Sequence, residues 1–322
     1  MAIHLGRRKF IAALSGMALV WPLALRAQQP RWVRIGWLSI APHPFIEGFR
    51  RGMLDLGWRE GDNFEIEQQY ADGHAERLVD LAASLGHSRN DVIVASGSDA
   101  VDAAGEAIHS IPVVGISATM GLGGSLARPE GNMTGIALLY DEIAAKWPEL
   151  LLQISSRAKR IGVIYERRST SNRQQLQAVE MTAARLGQKV LPLPIEDSDA
   201  VLRTIDHVQT DAADALVFVS SPIFTANAAQ IIDHVRRLGL PAIYESRVLV
   251  KNGGLISYGP NLNEMFRRVA YYVDRIIKGA KPSELPIERP TQFELVVNTR
   301  TAKQLGLDVP PTLLIRADEV IE

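Results

Sequence analysis

The 322 residues contain no cysteine. Within them there is therefore no disulfide, thiolate metal site, cysteine nucleophile or lipid-bearing N-terminal cysteine. Charge of either sign is not in excess. Thirty-five Lys and Arg stand against 36 Asp and Glu, for a formal net charge of -1, and no basic footprint for nucleic acid results. The patterns of common hydrolases and nucleotide enzymes are missing as well. There is no Gly-x-Ser-x-Gly, no Gly-x-x-x-x-Gly-Lys-Ser/Thr, and no His-Glu-x-x-His among the seven histidines. Gly121-Leu122-Gly123-Gly124 is glycine-rich but follows a late strand without dinucleotide spacing, and reads as a flexible link. No catalytic set, metal site or cofactor is expected. Beyond residue 27 no apolar stretch reaches membrane length.

What is present is the profile of a globular chain, 47% hydrophobic and 22% charged, long enough for two domains. Residues 1–27 differ from the rest. Arg7, Arg8 and Lys9 precede an apolar run from Phe10 to Leu25, interrupted by Pro22, and a small residue follows at Ala27. A basic start, apolar middle and small end read as a secretory signal peptide, of the general or the twin-arginine kind. The expected location is periplasmic.

Strand and helix patterns alternate over 33–117, with strands expected at Val33 to Ser39, Asn63 to Tyr70, Val92 to Ala95 and Pro112 to Ile116. Between the first two, Phe45, Phe49, Met53 and Leu56 recur at helical spacing. Residues 160–246 repeat the plan, with strands at Arg160 to Tyr165, Lys189 to Leu193, Ala215 to Val219 and Pro241 to Tyr244. Such alternation implies parallel sheets covered on both faces. A helix is expected from Asp141 to Ile154, kinked or restarted at Pro148. Leu255 to Tyr258 reads as a strand. A long helix follows, capped by Asn261, with Leu262, Met265, Val269, Val273 and Ile276 on its buried stripe. An extended run covers Leu285 to Asn298. The expected division is 32–139 plus 254–284 for a first lobe, and 140–253 plus 285–322 for a second.

Open α/β sheets bind ligands outside the carboxyl ends of their strands. In the first lobe those ends carry Ser39, Ser96, Gly97, Ser98, Asp99, Ser117 and Thr119, hydroxyls and helix starts suited to a carboxylate. Plain helix capping is the favoured reading for Ser98 and Asp99, and it is compatible with a place on the cleft wall. In the second lobe the ends carry Tyr165, Glu166, Ser171 and Asn172, then Ser220 and Ser221, then Tyr244, Glu245 and Arg247, with Tyr258 after the next strand. The tyrosines are either aromatic walls or packing in the hinge. Arg247 is either a two-pronged partner for a ligand carboxylate or a member of an ion pair.

PAIYESR at 241–247, GGLISYGP at 253–260, GNMTG at 131–135 and FELVVNTRTAKQLGLDVPPTLLIRADEVIE at 293–322 carry a resemblance over the whole chain. The sequence resembles the ABC-transporter substrate-binding proteins of the tryptophan/tyrosine-binding type. That resemblance implies a type I periplasmic-binding fold, two α/β lobes closing on a small solute, with permease and ATPase subunits as partners. It also implies an aromatic or branched carboxylate or amino acid as ligand. Relatives often carry Trp where Ser246 stands, and Asp-Pro in the loop that here reads Ser117-Ala118-Thr119-Met120-Gly121. The expected function is ligand delivery to an importer. A sensor subunit and an exported α/β enzyme are the alternatives.

Overall fold

Near-continuous apolar runs at the predicted strand positions are what a parallel sheet buried on both faces requires. The computed structural model describes residues 32–118, 124–211 and 213–322; the signal-like segment and Thr119 lie outside the described residues. The first lobe runs β1 (Val33–Ser39), α1 (Ile46–Asp55), β2 (Phe64–Tyr70), α2 (Leu78–His87), β3 (Val92–Ser96), α3 (Ser98–Ala107) and β4 (Val113–Ser117). A two-stranded hairpin, β5 (Gly124–Ser125) and β6 (Arg128–Pro129), precedes β7 (Met133–Ala137). Its five-stranded sheet has the order β2-β1-β3-β4-β7, all parallel.

Two helices, α4 (Tyr140–Ala144) and α5 (Trp147–Ile154), lead into the second lobe. The single helix expected here is divided at Lys146, and Pro148 occupies the first turn of α5, where its missing N–H costs nothing. Then follow β8 (Arg160–Glu166), α6 (Thr170–Arg185), β9 (Lys189–Ile195), α7 (Ala200–Asp211), β10 (Ala215–Phe218), α8 (Pro222–Ala226), α9 (Ala228–Leu238), β11 (Ala242–Tyr244), α10 (Arg247–Lys251) and β12 (Ile256–Pro260). After α11 (Leu262–Ile277) come β13 (Phe293–Asn298), α12 (Thr299–Gln304), α13 (Pro311–Arg316) and β14 (Glu319–Ile321). The second sheet has the order β14-β13-β12-β11-β10-β8-β9, and only β12–β13 is antiparallel. Its core, β9-β8-β10-β11-β12, repeats the 2-1-3-4-5 order of the first sheet. Both sheets belong to one compact unit, Val33–Glu322.

The chain passes between the lobes three times: after β7, after β12, and between 288 and 293. The second passage falls later than the expected boundary at 254, because β12 pairs with β11 and β13 inside the second sheet. Asn261 marks the turn back, its side chain accepting the Glu264 N–H at 3.1 Å. α11 then packs against α1 at close range. A Cβ at Gly48 would stand 2.7 Å from the Asn263 carbonyl oxygen, and one at Gly52 would stand 2.8 Å from Ala270 Cβ. The third passage is also later than the expected boundary at 285. Residues 285–288 still run along the first lobe, where Glu288 N–H donates to the Gly135 carbonyl at 3.0 Å and Arg268 holds Glu288 in a two-pronged pair at 2.8 and 2.6 Å. The extended run is therefore a strand only from Phe293.

Candidate functional site

In a sheet of order 2-1-3-4-5 the strand direction of winding reverses between the first and third strands, and a crevice opens there. Both sheets do this, at β1/β3 and at β8/β10, and the loops beyond those strand ends meet. Gly97 follows β3 with φ 96°, a conformation that favours glycine, and sets the start of α3. Ser221 follows β10 and caps α8 by accepting the Ile223 N–H at 3.0 Å. Asn172 in the first turn of α6 accepts the Glu166 N–H at 3.0 Å and donates to the Ser220 carbonyl at 3.0 Å, tying the two loops together. The result is a cavity lined from both lobes.

One wall is apolar, built from Ile40, Phe45, Leu138, Leu262 and Phe266. The Phe45 and Phe266 rings stack with centroids 5.8 Å apart and planes 9° apart. The remaining wall is polar and carries three carboxyl groups, Asp99, Glu166 and Glu245, but no Lys or Arg. Burial pushes Glu245 up to about 8, although the backbone N–H groups of Glu245 and Ser246 donate to it and pull the other way. Its Oε2 is buried without a partner. Burial, then the charge of Asp99, raises Glu166 to about 8, against a hydrogen bond from Ser221. Asp99 is raised chiefly by burial, against a hydrogen bond from Ser169. His43 supplies no compensating charge. Burial lowers it to about 4, so it is neutral at pH 7; Nε2 lies 2.8 Å from Ser96 Oγ and Nδ1 has no partner.

The cavity brings together Ser96, Ser98, Ser117, Ser171, Asn172, Ser220, Ser221 and Glu245 from the residues singled out in the sequence. The others lie elsewhere. Ser39 is fully buried beneath the first-lobe loops with its Oγ unpartnered. Tyr165 packs on the second-lobe core, and Tyr244 is buried there against Phe218 at 5.1 Å. Alternation along a strand explains both: Tyr165 and Tyr244 point away from the cavity because their neighbours Glu166 and Glu245 point into it. Tyr258 packs near Phe293 at 6.1 Å, and its carbonyl accepts the Trp147 Nε1–H at 2.8 Å. Arg247 pairs with Glu294 at 3.2 Å and with Glu319, outside the cavity. Ser246 is a buried cap of α10 and does not line the cavity. Sequence reasoning missed His43, Tyr140, Ser169 and the lining role of Phe45 and Phe266. His43 follows β1 closely enough for the strand-end rule to have found it; Phe266, at the second turn of α11, carried no such signal.

Around the rim the lobes touch. Arg168 approaches Glu76 at 3.8 Å. A Cβ at Gly73 would lie 2.4 Å from Ser198 Cβ, and one at Gly97 would lie 3.2 Å from Pro222. Among the described residues no group of three or more His, Asp or Glu could hold a metal ion, and no helix is long and apolar enough to cross a membrane.

The family described as ABC transporter substrate binding protein matches residues 41–321. A tyrosine-binding protein of Clostridioides difficile (strain R20291) is 23% identical over 283 residues, which is 85% of this chain and 81% of that protein. An ABC domain from Streptococcus pneumonia in complex with L-Trp is similar with a TM-score of 0.79 and 21% identity, covering 90% of this chain and 99% of that one. A ligand-free, open substrate-binding protein with adhesive properties from Clostridium difficile has a TM-score of 0.60 and 22% identity, covering 91% and 99%. The shared architecture is the type I periplasmic-binding fold, and the family is one of binding proteins rather than enzymes. Matched along nearly all of its described length and folded as two α/β lobes, this chain belongs to the ABC transporter substrate-binding proteins.

Proposed function

We propose that the chain captures a small amino acid or closely related amine in the cavity between its lobes and delivers it to an ABC importer. The observation that carries this reading is the lining: two buried carboxyl groups, Glu166 and Glu245, a half-buried Asp99, no Lys or Arg, and an unpartnered Glu245 oxygen. A buried carboxylate without a partner is costly, and an ammonium group removes that cost through a charge-assisted hydrogen bond. The first turns of α3 and α6, with the hydroxyls of Ser96, Ser98, Ser117 and Ser171, supply donors for a ligand carboxylate. Phe45 and Phe266 receive the apolar part of the ligand. The C. difficile and S. pneumonia relatives, named for Tyr and L-Trp, are consistent with this class. The signal-like residues 1–27 support export to the periplasm, where permease and ATPase subunits of the importer would be served.

Titration calorimetry with L-amino acids of apolar and basic side chain, the same acids lacking the amino group, and hexoses tests the reading. An amino acid is expected to bind at micromolar concentration or better, which is about 8 kcal/mol. Removal of its amino group is expected to abolish the heat. Binding of a hexose with no response to any amino acid or amine would exclude this class.

A further inference from the structure

In β1 and just past it, Trp37 Nε1, Ser39 Oγ and His43 Nδ1 are buried without a hydrogen-bond partner. Of these three residues only His43 lines the cavity, and it is 7% exposed. Its ring stands among aromatic rings, with centroids 5.9 Å from Trp37, 5.4 Å from Phe45 and 5.2 Å from Phe266. None of them serves Nδ1. Phe45 and Phe266 have no polar side-chain atom, and the Trp37 N–H is itself unpartnered. Pro44, next in the chain, has no backbone N–H to offer. Nε2, by contrast, is engaged, 2.8 Å from Oγ of the buried Ser96.

An unpaired nitrogen in an apolar surround costs free energy that a hydrogen bond with a bound molecule recovers. Burial keeps the ring neutral at pH 7, so one of its nitrogens donates and the other accepts. A serine hydroxyl does either, so Ser96 can follow whichever tautomer a ligand selects. We infer that His43 is a specificity-determining residue whose Nδ1 hydrogen-bonds a hydroxyl or N–H group carried by the ligand's otherwise apolar side chain. This rests on the amino-acid reading above and narrows it to side chains that are apolar in body and polar at one point. The apolar body would lie against Phe45 and Phe266, the rings nearest to His43 on the cavity wall. His43 follows β1 in the first lobe and Glu245 follows β11 in the second. A ligand that meets both is tied to both lobes, whereas a hydrocarbon side chain leaves Nδ1 unpaired and forfeits that tie.

The test measures affinity by calorimetry on the intact protein for two ligand pairs that differ by one hydroxyl. These are L-phenylalanine with L-tyrosine, and L-norleucine with 6-hydroxy-L-norleucine. The hydroxylated member of at least one pair is expected to bind about tenfold tighter than its hydrocarbon partner, or more, as sites built around a hydrogen bond discriminate. His43→Phe keeps a ring among Trp37, Phe45 and Phe266 and removes both nitrogens, and there the ratio is expected to fall to one or below. His43→Asn keeps a hydrogen-bonding group near the Nδ1 position and is expected to retain part of the preference. Circular dichroism confirms folding of each variant. Imidazole nitrogen-15 spectra of the unsubstituted protein need no variant. One histidine is expected to shift with the hydroxylated member and not with its partner, and equal spectra for the two would overturn the assignment. A ratio near one in both pairs, with the amino acids still binding, would overturn the role of His43 and leave the amino-acid reading standing. A hydroxyl preference unchanged in His43→Phe would overturn it as well. Failure of all four ligands to bind would overturn the inference, and the basic amino acids then decide whether the amino-acid reading falls with it.

Discussion

Raising the pH from 6.5 to 8 is predicted to destabilise the ligand-free protein. Glu245 and Glu166 have ordinary values of 4.5 and are raised to about 8 in the fold. In that window the native state holds protons that the unfolded chain has released. Stability from these groups is therefore complete below the unfolded value and is lost as pH climbs through the folded one. Each group loses about 1.4 kcal/mol per pH unit over most of the window. From 6.5 to 8 that is roughly 2 kcal/mol for Glu245 and as much again for Glu166. For a domain of this size the sum lowers the melting midpoint by on the order of 10 °C. His43, lowered from 6.5 to about 4, acts in the opposite sense, chiefly below pH 6.5, and within this window offsets only about 0.4 kcal/mol of the loss. Thermal denaturation at pH 6.5, 7.25 and 8 measures the slope. Glu245→Gln, which fixes the group in its neutral shape, should remove about half of it. A midpoint that is flat or rising over the window, or a variant with the wild-type slope, would refute the buried, uncompensated state of these carboxyls.

Two further outcomes follow from the rim and from the ion pairs. Gly73→Ala places a Cβ against Ser198 and should hold the cleft ajar, weakening ligand affinity about tenfold, chiefly through faster release seen by stopped-flow fluorescence. Unchanged affinity would show that the contact is not part of closure. Arg247→Ala breaks the pairs with Glu294 and Glu319 and should lower stability by roughly 1–3 kcal/mol in denaturant titration while calorimetric affinity stays the same. Lost binding in a stably folded variant would return Arg247 to the ligand's surroundings.

The alternation of apolar strands with helical stripes made the two-lobed fold legible, since a parallel sheet leaves long-range constraints in local pattern. The spacing of the first two strands in each half, and the cap at Asn261, survive into the structure with shifts of a residue or so. α8 and α10 were not legible. Each is five residues long, too short for a periodic stripe. The site was legible as a set of loops and not as a set of side chains. Strand ends point to the crevice, but which of two successive residues faces it depends on where pairing stops. Tyr165 against Glu166 and Tyr244 against Glu245 turn on that parity. Phe266 lines the cavity only because α11 docks on α1, a packing that glycines 48 and 52 permit and that no local pattern announces.

The three passages between the lobes do more than connect them. Leu138 and Tyr140 lie on the first passage and Leu262 on the second, and all three line the cavity. Part of the pocket wall is thus made of the same backbone that joins the lobes. If the lobes close on a ligand, its bulk would bear on the joint as well as on the jaws, as in a caliper. A partner touching only the outer surface would then read the size of a molecule it never meets.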